Sequence, residues 1–361
     1  METNNAESNS KNDYWMGTYA DGFVKSYKYD EIFVDDLINP DLVRLKIPEG
    51  IVIIEYLKLG KCPKLESIHI PASLLVIVRI ITSELNNLHS ITVDQNNPQY
   101  CAHESVLYTK DKRKLIRFHN KSDISHFVIP PEVSEIGSRA FECCQHLQTV
   151  EMPLGVKLIG EGAFINCKNL KEIRLPNSID SFNLRAISWC NSLERIYLPK
   201  SIKEFLDTDI IECDELKNFC VDISNPYFCS VDGVIFNKEK TLLIRYPPGK
   251  KETSYSVPES VLIIGEYAFG NCKNLTSIKL PIGLKYICDH AFECCSKLES
   301  VNIPEFVYYI GSCVFTNCFN LNDIIIPRSV KRIEHFCSEE CRSLTLIKTN
   351  ENNKCYRYKD R

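Results

Sequence analysis

Apolar and polar residues alternate over short stretches along most of the chain, and the stretch L-x-x-I-x-L followed by proline recurs many times. Alternation with a period of two is typical of a half-buried β-strand, and proline ends such a strand because it has no N–H to donate. After the proline, V-x-x-I-G predicts a second short strand and a turn, and A-F-x-x-C predicts a segment packed inward. A chain that repeats these elements is expected to coil, with one turn per repeat.

The prolines give the period of the repeat. Three runs of prolines keep one constant spacing, which is the interval from Pro48 to Pro71: Pro48 and Pro71; Pro130, Pro153, Pro176 and Pro199; Pro258, Pro281, Pro304 and Pro327. Asp94 and Asp222 take the proline position between the runs, and each begins a longer unit, 94–129 and 222–257. The sequence therefore holds ten short units of equal length and two long ones. A repeat of this kind predicts a solenoid, in which stacked turns bury a continuous core.

Three columns of the repeat are predicted to form that core. Leucine occupies one column in all ten short units: Leu65, Leu88, Leu147, Leu170, Leu193, Leu216, Leu275, Leu298, Leu321 and Leu344. Cysteine occupies another in nine: Cys62, Cys144, Cys167, Cys190, Cys213, Cys272, Cys295, Cys318 and Cys341. A third carries aromatic rings that should stack: Phe141, Phe164, Phe269, Phe292 and Phe315, with Ile187 and Ile210 between them. Because a small buried thiol packs as a hydrophobe, the cysteines are expected to form a reduced, structural ladder.

The two long units match one another in sequence. VDQNNPQYC (93–101) corresponds to VDISNPYFC (221–229), which indicates duplication of a block of units. Each long unit also offers a strand and a polar turn, at 105–112 and 233–240, followed by a second strand near 115–118 and 242–246. The sequence thus predicts a β-hairpin insertion in each long unit.

The string IPPEVSEIGSRAFECCQHLQTVEMP (129–153) resembles the leucine-rich repeats of the BspA-like, or Treponema pallidum-type, family, as does IIGEYAFGNCKNLTSIKLP. The resemblance implies a curved right-handed solenoid, mostly β and irregular, with a parallel β-sheet on its concave face. It also implies adhesion and binding to proteins. The predicted organisation is a non-repeat segment (1–30), a solenoid with an N-terminal half-unit (31–349) and a basic tail (350–361).

Composition and charge limit the class of partner and the cellular compartment that we expect for this chain. The 361-residue chain has a net charge of −4 and a pI of about 6.1, so no polyanion such as nucleic acid is expected as partner. Its longest apolar runs, such as 51–54, are far shorter than the roughly 18 residues of a membrane helix. The N-terminus shows no signal peptide, which predicts a cytoplasmic protein, whereas the family resemblance implies the cell surface as the alternative.

Candidate chemistry is sparse. The sequence has no C-x-x-C or H-E-x-x-H, and G-E-G-A-F (160–164) lacks the third glycine of a dinucleotide fingerprint, so we expect no metal, no cofactor and no catalytic residues. His335, Cys337 and Cys341 form the one cluster of possible ligands or nucleophiles. The glycosylation sequons at Asn120 and Asn274 are interpreted as incidental.

The outward positions of the strands that precede each proline vary between units, while the core columns do not. Concave solenoid sheets are where such proteins usually bind, because side chains stand there in rows. The predicted partner-binding residues are Glu151, Glu172, Arg174, Arg195, Tyr197, Asn218, Lys279 and Asn302. The predicted function is a non-catalytic protein-binding scaffold, with adhesion as the role that the family resemblance implies. The alternatives are an intracellular regulator that binds a single enzyme and, more remotely, an enzyme with a site on the hairpin units.

Overall fold

A computed structural model of the chain describes residues 13–15, 26–28, 31–34, 40–78, 80–81, 85, 87–119, 124–207, 210–334, 341, 343 and 346–349. The predicted C-terminal tail, Leu344, Asn120, His335 and Cys337 lie outside the described residues, as does most of the predicted segment 1–30. The chain forms a β-solenoid of about twelve turns with almost no helix, which confirms the predicted fold class. It divides into two compact units, the first made of residues 1–147 and 155–167, the second of residues 148–154 and 168–361.

In both units the strands form two rows, and each turn contributes one strand to each row. First-row strands are those that precede the proline position, and second-row strands are those that follow it. Strands of consecutive turns pair in parallel within each row, and the paired His69 and Thr92 are 23 residues apart. Ile264 and Ile287 are the corresponding partners in a second row. The sequence forms these strands because one residue in two faces the core and proline ends the ladder.

The first unit contains fifteen described strands. Its first row is β4 (Arg44–Lys46), β6 (Ser67–Ile70), β9 (Ser90–Val93) and β13 (His126–Val128). The strand β1 (Asp13–Trp15) pairs with β4. Its remaining strands are β2 (Ser26–Lys28), β3 (Glu31–Val34), β5 (Ile53–Lys58), β7 (Val76–Ile77), β8 (Ile80–Ile81), β10 (Tyr100–His103), β11 (Val106–Thr109), β12 (Lys114–Arg117), β14 (Glu135–Ile136) and β16 (Leu158–Ile159).

The second unit has the same two rows. Its first row is β15 (Thr149–Glu151), β17 (Glu172–Arg174), β19 (Arg195–Leu198), β21 (Asn218–Val221), β25 (Ser254–Ser256), β27 (Ser277–Lys279), β29 (Ser300–Asn302), β31 (Asp323–Ile326) and β33 (Leu346–Thr349). Its other strands are β18 (Ser181–Asn183), β20 (Glu204–Asp207), β22 (Phe228–Val231), β23 (Val234–Asn237), β24 (Leu242–Arg245), β26 (Ile263–Ile264), β28 (Tyr286–Ile287), β30 (Tyr309–Ile310) and β32 (Arg332–Ile333). Leu184–Ile187 forms a short 3-10 helix in the inward-packed segment of its turn.

The predicted aromatic column stacks within each unit. In the first unit the ring centroids of Phe141 and Phe164 are 5.0 Å apart. In the second, Phe292 lies 5.3 Å from Phe269 and 5.5 Å from Phe315, with nearly parallel planes. Such pairs contribute about 0.5–1.5 kcal/mol each beyond the apolar area that they bury. The stack therefore adds a directional term to the core at every turn that carries it.

The cysteine column is a ladder of thiols that donate to backbone carbonyls of the preceding turn. Cys295 Sγ donates to Phe269 O at 3.0 Å, and Cys318 Sγ donates to Phe292 O at 3.1 Å. All cysteines among the described residues are free. Burial raises the pKa of the Cys213 and Cys272 thiols to about 12, so they stay protonated and able to donate. The column is structural, as predicted.

Each long unit contains the predicted hairpin and one further strand. β10, β11 and β12 form an antiparallel meander in the first unit, and β22, β23 and β24 form its duplicate in the second. The last strand of each meander then pairs in parallel with the next second-row strand. The insertion therefore re-enters the solenoid in register, and the ring of Phe118 or Tyr246 continues the aromatic column.

A buried asparagine fixes the start of each meander. Asn225 is fully buried, and its Nδ2 donates to Pro199 O at 2.9 Å and to Ile202 O at 3.0 Å. Its Oδ1 accepts from the backbone N–H groups of Tyr227 and Phe228, both at 2.8 Å. Asn97 makes the equivalent four bonds in the first unit. One side chain thus satisfies four backbone groups at the point where the chain leaves the regular repeat.

Candidate partner-binding face

The centre of the predicted binding surface lies on three neighbouring first-row strands of the second unit. β17, β19 and β21 form one parallel sheet in which Ile173, Ile196 and Phe219 face the core. Two rows of side chains alternate with this core row and point outward. One of these side-chain rows is Glu172, Arg195 and Asn218, and the other is Arg174, Tyr197 and Cys220. We call these six outward residues the Arg174–Tyr197 face.

Arg174 is held in place by two contacts across this face. Its Nε donates to Glu172 Oε1 at 2.8 Å, and its guanidinium carbon lies 3.6 Å from the centroid of the Tyr197 ring. The hydrogen bond that Arg174 donates to Glu172 raises the pKa of Arg174. Stacking a guanidinium on a tyrosine ring is favourable by about 0.5–1 kcal/mol at an exposed site. The pair therefore presents a fixed planar cation beside an aromatic ring.

The two arginines of the face differ in their ion pairing. Glu172 is paired with Arg174, whereas the neighbouring Arg195 is exposed and makes no ion pair with another described residue. Burial raises the pKa of the half-buried Cys220 thiol, and the nearby Arg195 and Arg174 oppose that effect. A surplus positive charge thus stands at the middle strand of the sheet.

The structure brings five of the eight predicted residues together. Glu172, Arg174, Arg195, Tyr197 and Asn218 lie on this one sheet. Lys279 and Asn302 are exposed on β27 and β29, which belong to a different sheet of the second unit. Glu151 is exposed on β15, whose turn adjoins that of β17 through the bond from Lys171 N to Gln148 O.

Sequence reasoning missed the first-row strand at the end of each long unit. β13 exposes His126 and Val128, and β25 exposes Ser254 and Ser256. The alternating strings SHFVIP (125–130) and SYSVP (254–258) indicate these two strands, because both keep the phase of the short units.

Among the residues that the structure describes, no group of three or more His, Cys, Asp or Glu side chains could hold a metal ion. The sequon residue Asn274 uses its Nδ2 to donate to Lys250 O at 2.9 Å, which agrees with a structural role. No helix within the described ranges is long and apolar enough to cross a membrane.

Comparison with known families matches the description "BspA type Leucine rich repeat region", in six copies, over residues 38–107, 116–238 and 249–358. The chain belongs to the BspA-type leucine-rich repeat family. The predicted resemblance is therefore confirmed. No curated protein matches the chain.

Solved structures similar to this BspA-type chain include three proteins of bacteria. A leucine rich cell surface protein from Faecalibacterium prausnitzii is 20% identical, with a TM-score of 0.48, over 92% of this chain and 95% of that one. The pneumococcal vaccine antigen PcpA is 20% identical, with a TM-score of 0.47, over 91% of this chain and 79% of that one. A leucine-rich repeat protein from Eubacterium ventriosum is 19% identical, with a TM-score of 0.44, over 77% of both chains.

Proposed function

We propose that this BspA-type protein is a non-catalytic scaffold that binds a partner protein through the Arg174–Tyr197 face. The observation that carries the proposal is the arrangement of Arg174 between Glu172 and Tyr197, beside the exposed Arg195. Tyrosine and arginine are enriched among the residues that dominate binding energy in protein interfaces. The residues beneath the face repeat from turn to turn, whereas those on it do not, so the face is free to specify a partner.

The geometry favours a partner that presents carboxylates near an apolar group. Glu172 and Tyr197 hold Arg174 in one orientation, so less side-chain entropy is lost when a partner binds. The planar guanidinium of Arg195 offers a fork of N–H donors that matches a carboxylate in two places. The ring of Tyr197 supplies apolar area beside both cations.

A nucleophilic role for Cys220 is not part of the proposal. The thiolate is the reactive form of cysteine, and burial raises the pKa of this thiol. The thiols of the ladder are likewise held protonated in the core. We therefore infer that the face serves to bind a partner rather than to catalyse a reaction.

Proximity labelling with the full-length chain in its own organism, followed by co-precipitation, tests this proposal. We expect the wild type to recover a partner and the variant Arg174→Glu with Arg195→Glu to lose it. The control is Lys203→Glu, which reverses an exposed charge just before the second-row strand β20. Equal recovery by the wild type and the double variant would contradict the proposal.

The alternative of an intracellular regulator that binds a single enzyme is favoured by the thiols. Cysteines outside the ladder, such as Cys220 and Cys229, are half-buried and free. Thiols of this kind are kept reduced in the cytosol and tend to oxidise in secreted proteins. Localising the tagged full-length chain separates the proposals: a cytosolic signal supports the regulator, and a signal at the cell surface supports adhesion.

A further inference from the structure

A cavity of about 190 Å³ lies in the first unit, at a break between two second-row sheets. Strands β7 and β8 end one of these sheets, and the meander strands β11 and β12 belong to the other. First-row strands β6 and β9 also contribute to the cavity wall. Among the described residues, its lining consists of eight aliphatic side chains and three polar ones: Ile68, Ile70, Ile77, Val78, Ile80, Ile91, Leu107 and Ile116, with Arg117, Ser138 and Arg139.

The interior of this cavity is apolar. Ile70, Leu107 and Ile91 are 0%, 2% and 5% exposed. Val78 is 69% exposed and Ser138 is also exposed, so these two residues lie where the cavity meets solvent. The cavity is therefore accessible from outside, while most of its wall is hydrocarbon.

The two arginines of the lining are already paired within the protein. Arg117 Nη1 donates to Arg139 O at 2.6 Å, and Arg117 Nη2 donates to Glu142 O at 3.2 Å. Arg139 Nη1 donates to Glu142 Oε1 at 2.6 Å, and Glu142 Oε2 lies 3.4 Å from Arg117 Nη1. An anionic ligand would have to compete with Glu142 for these donors, so the lining favours an uncharged molecule.

The duplicated block carries larger side chains at two of the lining positions. Ile77 and Ile91 correspond to Phe205 and Phe219 in the second unit. There Phe219 is 1% exposed, and the ring centroid of Phe205 lies 5.1 Å from that of Phe228. The apolar lining positions on β6, β11 and β12 carry isoleucine or leucine in both copies. The first copy therefore lacks two phenyl rings that the second copy packs into the same framework.

We propose that the cavity of the first unit binds a small uncharged molecule with a single aromatic ring. The duplicate indicates this occupant, because it places phenyl rings where the first copy has Ile77 and Ile91. The volume agrees, since an apolar cavity of about 150 Å³ in another protein stays dry and binds benzene. Small-molecule sites are typically apolar with a few polar groups, such as Ser138 at this rim. The Arg174–Tyr197 face belongs to the second unit, so the two proposals fail independently.

Titration of the full chain with fluorobenzene, followed by fluorine NMR, tests this proposal. We expect saturable binding with a Kd of about 1 mM or below, which a ligand of this size can reach. The charged probe 4-fluorobenzoate should bind about tenfold more weakly or worse, because its carboxylate would lose water on entering an apolar cavity.

Ile91→Phe installs the residue that the duplicate holds and should fill the cavity. We expect fluorobenzene binding to weaken about tenfold or more, with a urea midpoint that is unchanged or raised, because filling a cavity commonly stabilises a protein. The matched control is Ile325→Phe, which makes the same substitution at a side chain of β31 that is 52% exposed. This control should bind fluorobenzene as the wild type does.

Ile77→Ala enlarges the same cavity and provides a second readout. It should tighten the binding of the larger 1-fluoronaphthalene relative to fluorobenzene, a gain that misfolding could not produce. If Ile91→Phe fails to fold, an unchanged preference in Ile77→Ala would overturn the proposal by itself.

Absence of saturable fluorobenzene binding to the wild type would overturn the proposal. Equal binding by the wild type and a folded Ile91→Phe variant would overturn it as well, because the probe would then lie elsewhere. Binding of 4-fluorobenzoate as tight as that of fluorobenzene would overturn the assignment of an uncharged ligand.

Discussion

Replacing Asn225 by alanine should be among the most damaging single changes in the second unit. The side chain is fully buried and makes four hydrogen bonds of 2.8–3.0 Å to backbone groups. At about 1 kcal/mol of net stability for each, Asn225→Ala should lower the free energy of unfolding by about 4 kcal/mol. Whole proteins are stable by only about 5–15 kcal/mol, so the loss should be plain.

Urea unfolding followed by circular dichroism measures this loss, with Asn302→Ala as the control at an exposed position. Asn97→Ala should cost a similar amount, because its four bonds repeat those of Asn225. A loss below about 1 kcal/mol for Asn225→Ala, or one equal to that of the control, would refute the reasoning.

Three further predictions concern the core. Phe292→Ala, in the middle of the ring stack, should cost about 3–5 kcal/mol in urea unfolding, whereas Phe306→Ala at the surface should change stability by less than about 0.5 kcal/mol. Gly249→Ala should reduce soluble expression and stability, because an added Cβ would clash with the backbone nitrogen of Leu216, whereas Gly283→Ala meets nothing closer than 3.9 Å and should be tolerated. Stability should fall as the pH rises above about 9, because burial raises the pKa of Cys213 to about 12 in the folded chain, so only the unfolded chain releases this proton readily; a pH titration of the urea midpoint that stays flat from 8 to 11 would contradict this.

The regular part of the fold could be predicted because its cause is local and repeated. Alternation sets each strand, proline ends it, and the same columns return in every unit, so one turn predicts the next. The aromatic stack and the thiol ladder followed from the same columns. Their continuation through Phe118 and Tyr246 did not, because the long units interrupt the phase of the repeat.

The features that sequence reasoning missed depend on contacts between turns. Strands β10 and β22 were missed because Asn97 and Asn225 start them through bonds to the preceding turn, which no local pattern announces. Arg117 and Arg245 belong to KLIRF and LLIRY, where their charge predicts exposure, yet both are buried and donate to backbone carbonyls. Because a charged side chain is usually exposed, no local pattern indicated this burial.

The binding face was predicted in outline. Outward positions follow from alternation, so Glu172, Arg174 and Arg195 could be placed on one side of the sheet. The stacking of Arg174 on Tyr197 depends on side-chain rotamers across two strands, which sequence does not determine.

Hydrogen exchange of the full-length chain with its recovered partner tests the central claim most directly. The account predicts slowed exchange of backbone amides in β17, β19 and β21 on binding, and unchanged exchange in the exposed strands β27 and β29. Arg174→Glu with Arg195→Glu should abolish that protection. Protection confined to other turns, or protection that survives the double variant, would contradict binding through the Arg174–Tyr197 face.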